Sequence, residues 1–193
     1  MNLLKSMAMA AALMAVSAAH ADDNGAPLRF LVGGGVTYGG DALLSVQSRD
    51  YDNKDLKAGG LGEVYGGFEY RLSDKFSFQN TIGYHVNYTK ADGGKIRFTR
   101  IPIDLLAVYA IAPNMRIGAG AQLVAKPELK GTGWASGAGQ KYDNAVGLVV
   151  EGEYLFTPHM GLKLRYVKEE FKPDNGGAKV DGSHAGVLFS YYF

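Results

Sequence analysis

Phe76-Ser77-Phe78-Gln79-Asn80-Thr81-Ile82-Gly83-Tyr84-His85-Val86-Asn87-Tyr88 is the stretch on which the fold turns. Phe76, Phe78, Ile82, Tyr84, Val86 and Tyr88 share one parity, interrupted only by Asn80. Ser77, Gln79, Thr81, Gly83, His85 and Asn87 hold the other. Successive side chains of a β-strand point to opposite faces, so this alternation predicts a strand with one apolar and one polar face.

Outward from this stretch the same period recurs. Val64, Phe68, Tyr70 and Leu72 oppose Glu63, Glu69 and Arg71; Ile101, Ile103, Leu105, Ala107 and Tyr109 oppose Arg100 and Asp104. Met115, Ile117, Ala119, Ala121 and Leu123 oppose Arg116, Gln122 and Lys126. Val146, Leu148, Val150, Tyr154 and Phe156 oppose Glu151 and Glu153; Met160, Leu162, Leu164 and Tyr166 oppose Lys163, Arg165 and Glu169. Val187, Phe189, Tyr191 and Phe193 lie opposite Ser190 and Tyr192. With a Gly-rich first segment whose facing is open, eight strands are expected near residues 28–38, 60–73, 75–90, 95–111, 114–127, 144–157, 159–172 and 181–193.

The connections alternate in length. Ser73-Asp74-Lys75, Ala112-Pro113-Asn114 and Thr157-Pro158-His159 are tight turns built from the residues that favour them. Longer polar or Gly-rich links fall near 39–59, 91–94, 128–143 and 173–180. Short turns at one end and longer loops at the other are the pattern of a transmembrane β-barrel. A soluble sandwich or lipocalin-like barrel would bury the apolar face and expose the charges. The length of the apolar faces, the concentration of Tyr and Phe near strand ends and a sequence that closes on a strand at Phe193 favour lipid instead.

Composition agrees. The 193 residues contain no Cys, 27 Gly, and 20 Lys+Arg against 19 Asp+Glu. Without Cys there is no disulfide, thiolate metal site or thiol catalysis. The balance of charge gives no basic surface of the kind that binds nucleic acid. Residues 1–21 read as a secretory signal peptide: Lys5 is the positive n-region, Met7 to Ala19 the apolar run, and Ala19-His20-Ala21 a small-x-small cleavage site. Residues 22–193 are then the exported domain, with a formal charge of zero once Lys5 is lost.

The ending Val187-Leu188-Phe189-Ser190-Tyr191-Tyr192-Phe193 resembles the C-terminal signal of Gram-negative outer-membrane barrels. Together with the leader and eight strands, the chain is similar to the small OmpX/OmpA-type barrels of the porin-like outer-membrane β-barrel family. The resemblance implies an all-β, eight-stranded, antiparallel up-and-down barrel in the outer membrane, among lipid and lipopolysaccharide. It also implies that Phe189, Tyr191 and Phe193 are read by the barrel-assembly machinery.

If the charged parity faces inward, the lumen holds Glu63, Glu69, Asp104, Glu151, Glu153 and Glu169 against Arg71, Arg100, Arg116, Lys126, Lys163 and Arg165. Eight strands leave an interior that side chains fill. A salt-bridged plug is therefore the preferred reading, and a narrow ion pathway the alternative. A lateral path for hydrophobic solutes, as in OmpW-like barrels, is a further possibility for transport.

Other constellations carry less. Ser183, His184 and Glu169 or Glu170 are the ingredients of a hydrolytic triad, and some outer-membrane lipid A deacylases use such a set. Here Ser directly precedes His, and neighbours on a strand face opposite sides. Gly33-Gly34-Gly35 and Gly39-Gly40 lack the Lys-Ser/Thr end and following helix of a phosphate loop. Asp50, Asp52 and Asp55 lack the spacing of a calcium loop. Trp134, the only Trp, is either a loop anchor for a partner or lipid, or a rim residue. No catalytic residue, metal site or cofactor is expected, and the role falls to the outer loops as a structural or surface-interaction protein.

Overall fold

The computed structural model describes residues 27–46, 54–91, 94–133 and 135–193. The expected signal peptide, Asp50, Asp52 and Trp134 lie outside the described residues. Eight long strands form the wall: β1 (Leu28–Gly39), β2 (Leu61–Arg71), β3 (Phe76–Ala91), β4 (Gly94–Ala112), β5 (Met115–Gly133), β6 (Ala145–Thr157), β7 (Met160–Lys168) and β8 (His184–Tyr192). Each pairs antiparallel with the next in sequence. β8 returns to β1 over Leu31↔Tyr192 to Gly39↔His184, which closes the barrel. Closure leaves no sheet edge unpaired, the condition under which strands cross a bilayer.

Three short pairings extend the wall at the long-loop end. Ala42–Val46 pairs with Lys54–Lys57, Glu170–Phe171 with Val180–Asp181, and Gln140–Lys141 lies on β5 at Glu128 and Leu129. The strands β3, β4 and β5 are 16, 19 and 19 residues long. About 9–11 residues cross the hydrocarbon, so these three stand well beyond it.

The period-two pattern becomes a two-faced wall. Along β7 exposed and buried residues alternate without a break. Leu148 is 68% exposed and Leu164 64%, whereas Leu188, one of the few aliphatics of the opposite parity, is 0% exposed. A continuous aliphatic exterior of this kind is far larger than a water-facing protein tolerates. Aromatic rings band both ends. Phe76 and Tyr109 lie 4.8 Å apart and Tyr154 and Phe156 5.3 Å apart near the short turns, while Tyr38 and Tyr88 project near the loops.

The glycines of β1 serve close approach. A Cβ on Gly33 would collide with the Tyr65 ring and the Phe189 carbonyl, and one on Gly35 with the Val187 carbonyl. The glycine run lets β1 curve between β2 and β8 while the Tyr65 ring lies across the lumen face of Gly33.

Two strands depart from the expected bounds. β5 runs on to Gly133 instead of stopping near 127, because an extra residue is absorbed between Ala125 and Glu128 opposite Thr99 and Ile101. Lys126 takes φ +52° there, and Pro127 sits in the bulge, where its missing N–H costs no regular ladder bond. β7 stops at Lys168, and the segment expected to continue it forms the small 170–171 pairing instead.

Candidate functional site

The polar parity of eight strands converges on one place, the barrel lumen. Its members meet because the register sets opposite charges across from each other: Arg116↔Glu153 between β5 and β6, and Arg165↔Glu151 and Lys163↔Glu153 between β6 and β7.

At the short-turn end, Arg116 Nη1 donates to Glu69 Oε1 at 2.9 Å and Oε2 at 3.0 Å, and its other nitrogens hold Glu153. Arg29 Nη2 donates to the same Glu69 at 2.8 Å, and its guanidinium covers the Tyr192 ring at 4.2 Å. The Tyr192 hydroxyl donates to Glu153 at 2.8 Å. Gln79 carries the chain upward, donating to Glu69 Oε2 at 3.1 Å and accepting from Lys163 Nζ at 2.8 Å. Lys163 also donates to Glu151 Oε1 at 2.7 Å.

In the middle, Arg165 grips Glu151 Oε2 through Nε and Nη2 at 3.0 and 2.8 Å and reaches Asp104 Oδ2 through Nη1 at 2.8 Å. Gln122 and Thr81 complete the Asp104 carboxylate at 2.8 and 3.2 Å. At the long-loop end, Arg100 donates to the Ala58 carbonyl and, at 2.7 Å, to His85 Nδ1, and it lies 3.3 Å from Glu169 Oε1. Buried charges are tolerated when they are paired and hydrogen-bonded, and this network meets that condition through most of its length.

Apolar layers seal what the charges leave. Leu31, Tyr65, Leu188 and Tyr192 cluster toward the short turns, and Leu106, Val108, Val149 and Val167 line another part of the wall. Phe98, Tyr142 and Phe171 form an edge-to-face trio within a larger cluster at the loop end, with centroids 5.6–6.2 Å apart.

Of the charged residues expected inside, Glu63, Glu69, Arg100, Asp104, Arg116, Glu151, Glu153, Lys163, Arg165 and Glu169 are buried there. Arg71 and Lys126 are corrections: both are exposed. Arg71 keeps inward parity but is the last residue of β2, below the closed part of the barrel. Lys126 is turned outward by the bulge. Arg29, Tyr65, His85, His184 and Tyr192 join the lumen without having been singled out for it. Arg29 shares the parity of buried Leu31 and Thr37, a signal obscured by the glycines that follow.

Ser183 and His184 are not brought together as nucleophile and base. The Ser183 hydroxyl accepts from the Glu169 amide at 3.3 Å, while His184 turns inward with Nδ1 2.9 Å from the Gly182 carbonyl. The Ser183 amide donates to Asp181 Oδ1 at 2.8 Å, and bonding from Ser183 holds that loop carboxyl below its usual range.

The terminal aromatics Phe189 and Tyr191 face outward, and the Phe193 amide donates to the Phe30 carbonyl at 2.9 Å. On the loop-side exterior of β4 and β5, Lys95, Arg97, Lys126 and Lys130 are exposed, with Arg97 directly opposite Lys130.

No curated protein matches the chain. Among solved structures, Neisserial surface protein A is similar, with 12% identity and a TM-score of 0.52 over 87% of this chain and 98% of that one. The attachment invasion locus protein Ail of Yersinia pestis matches with 12% identity and a TM-score of 0.49 over 86% and 97%. OprG, an outer membrane protein from Pseudomonas aeruginosa, matches with 17% identity and a TM-score of 0.46 over 87% and 96%. The sequence model of the outer membrane protein beta-barrel domain matches residues 8–193. An apolar exterior around a charged interior, in a closed eight-stranded wall matched almost end to end by that domain, places the chain in the outer membrane protein β-barrel family, as a protein of the Gram-negative outer membrane.

Proposed function

We propose that this protein works as a closed barrel, a structural or surface-interaction component of the outer membrane whose contacts are made by its loops and loop-side rim. One observation carries the reading: the lumen is crossed from end to end by buried ion pairs, with Lys163 at 0% and Arg165 at 3% exposure. A conduit needs a water-filled path, and interior side chains that bond to one another across eight strands support a filled lumen instead. A lateral path needs a break in the wall, whereas hydrogen-bonded registers run between every pair of neighbouring strands.

The rim supplies the contact surface. Lys95, Arg97 and Lys126 are exposed on β4 and β5, beside Lys130, which is paired with Glu128 at 2.7 Å, and together they make a basic rim suited to an external anion. Phosphate groups of lipopolysaccharide are the anions that such a rim would meet in the outer membrane. Non-enzymatic action fits the same picture, since the Ser183 hydroxyl is engaged by backbone groups.

Planar-bilayer recording of the refolded protein tests the reading. We expect no stepwise conductance above that of protein-free membranes. Discrete, reproducible channel openings would replace it with the small-pore alternative.

A further inference from the structure

The loop end of the lumen holds ligand-type atoms that the ion-pair network leaves partly unused. Glu63 of β2, His85 of β3 and His184 of β8 come from three strands, and their ligand atoms lie within 4.8 Å of one another. None is more than 3% exposed. Both carboxylate oxygens of Glu63 and Nε2 of His184 lack a hydrogen-bond partner among the described residues. The ion contact of Glu63 is a long one, 3.6 Å to Arg165 Nη1, and Arg165 is already engaged by Glu151 and Asp104.

The tautomer of His184 follows from its neighbour. Nδ1 lies 2.9 Å from the Gly182 carbonyl and 3.5 Å from Glu169 Oε1, two acceptors that outweigh the longer 3.4 Å approach of the Arg100 guanidinium, so Nδ1 carries the proton and the Nε2 lone pair is left without a hydrogen bond. A ring held through Nδ1–H to a backbone carbonyl is the usual support of a metal-binding imidazole. Among the described residues six buried carboxyl groups face four buried cations and Arg29, so one carboxyl has no cation of its own. A buried carboxylate and an imidazole nitrogen within reach of each other, neither hydrogen-bonded to a protein donor, are two acceptors that a cation would satisfy.

We propose that Glu63, His85 and His184 form a binding site for a divalent transition-metal cation of the zinc type, at the loop end of the lumen. Two imidazoles and a carboxylate suit such an ion, whereas calcium and magnesium take oxygen ligands. Both ring nitrogens of His85 have protein partners. Nε2 lies 2.8 Å from the Thr37 hydroxyl and 3.1 Å from the Gly60 carbonyl, and Nδ1 accepts from Arg100 at 2.7 Å. On loading, the ion therefore takes over one ring nitrogen of His85. Arg100 keeps Glu169 at 3.3 Å and the Ala58 carbonyl, which offset the repulsion between its guanidinium and the metal. An ion at this position ties β2, β3 and β8 together beneath the buried Ala58-Gly59-Gly60 segment.

The test uses the chain refolded in detergent, loaded with zinc alone, dialysed and assayed for bound metal. The expected result is one equivalent of zinc per folded chain. His184→Ala and Glu63→Gln should each lower retention about tenfold or more, while His159→Ala, at the opposite end, retains it. Folding of every variant is read from heat-dependent mobility in SDS. Cobalt titration of the unaltered chain gives a second readout, visible bands of nitrogen and oxygen ligation that zinc abolishes, and it stands even if a variant does not fold. Absence of stoichiometric zinc and of those bands, or retention unchanged in folded His184→Ala and Glu63→Gln, overturns the proposal.

Discussion

Lys163 shows how much rests on single side chains. Its ammonium is fully buried and held by Glu151 at 2.7 Å and Gln79 at 2.8 Å. Truncation leaves Glu151 short of a partner in a site that water does not reach, a change that costs about 3–5 kcal/mol. Lys163→Ala should therefore lower unfolding stability in lipid or detergent by that amount, measured by urea titration. Arg71→Ala, at an exposed strand end, should stay within about 0.5 kcal/mol of the parent. Equal losses at both positions would contradict the placement of the two residues. At the C-terminus, Phe193 contributes an aromatic ring near the short turns, and its amide ties the end of the chain to β1. If the terminal aromatics are the assembly signal, deleting Phe193 should reduce insertion into the outer membrane while export to the periplasm continues. Fractionation of cells at native expression decides this, and normal surface exposure of the truncated chain would count against it.

At the level of the strand, β6 provides the sharpest contrast between faces. Leu148 is 68% exposed, whereas Glu151, three residues on, is buried against Lys163 and Arg165. Arginine on the lipid face near the bilayer midplane costs about 2–4 kcal/mol in a barrel. Leu148→Arg should destabilise the refolded protein in that range. Spin labels placed at 148 and 151 in vesicles should show oxygen dominating relaxation at 148 and losing that advantage at 151. The reverse accessibility would mean that the wall faces the other way. Strand alternation was legible in β3 and β6 because nearly every residue obeys it. It failed in β5 at Lys126, where one extra residue reverses the parity beyond it.

For the whole molecule, closure between β1 and β8 is the decisive contact. A closed wall has no edge from which unfolding can begin, so the folded barrel should resist SDS without heating and shift in gel mobility after boiling. A sample shown by circular dichroism to be folded, yet unchanged in mobility on boiling, would argue against a closed barrel. The charge network works at the same scale, since its members come from all eight strands or the segments beside them: Arg29 and Thr37 from β1, Tyr192 from β8, and the rest between.

Period-two alternation, tight turns alternating with long links, and an aromatic last strand determined the fold class, the strand count and the lipid-facing side, because each is a local property of consecutive residues. Most of the lumen charges followed from parity alone. What the tertiary structure decided is which of them meet. Arg165 reaches Glu151 across a neighbouring strand and Asp104 across the lumen. Glu63, His85 and His184 lie far apart in sequence and carry no ligand spacing, yet barrel closure sets β8 beside β1 and brings His184 within reach of the other two. Contacts of that kind depend on register, curvature and the position of one bulge, and those are properties of the closed sheet that no single strand contains.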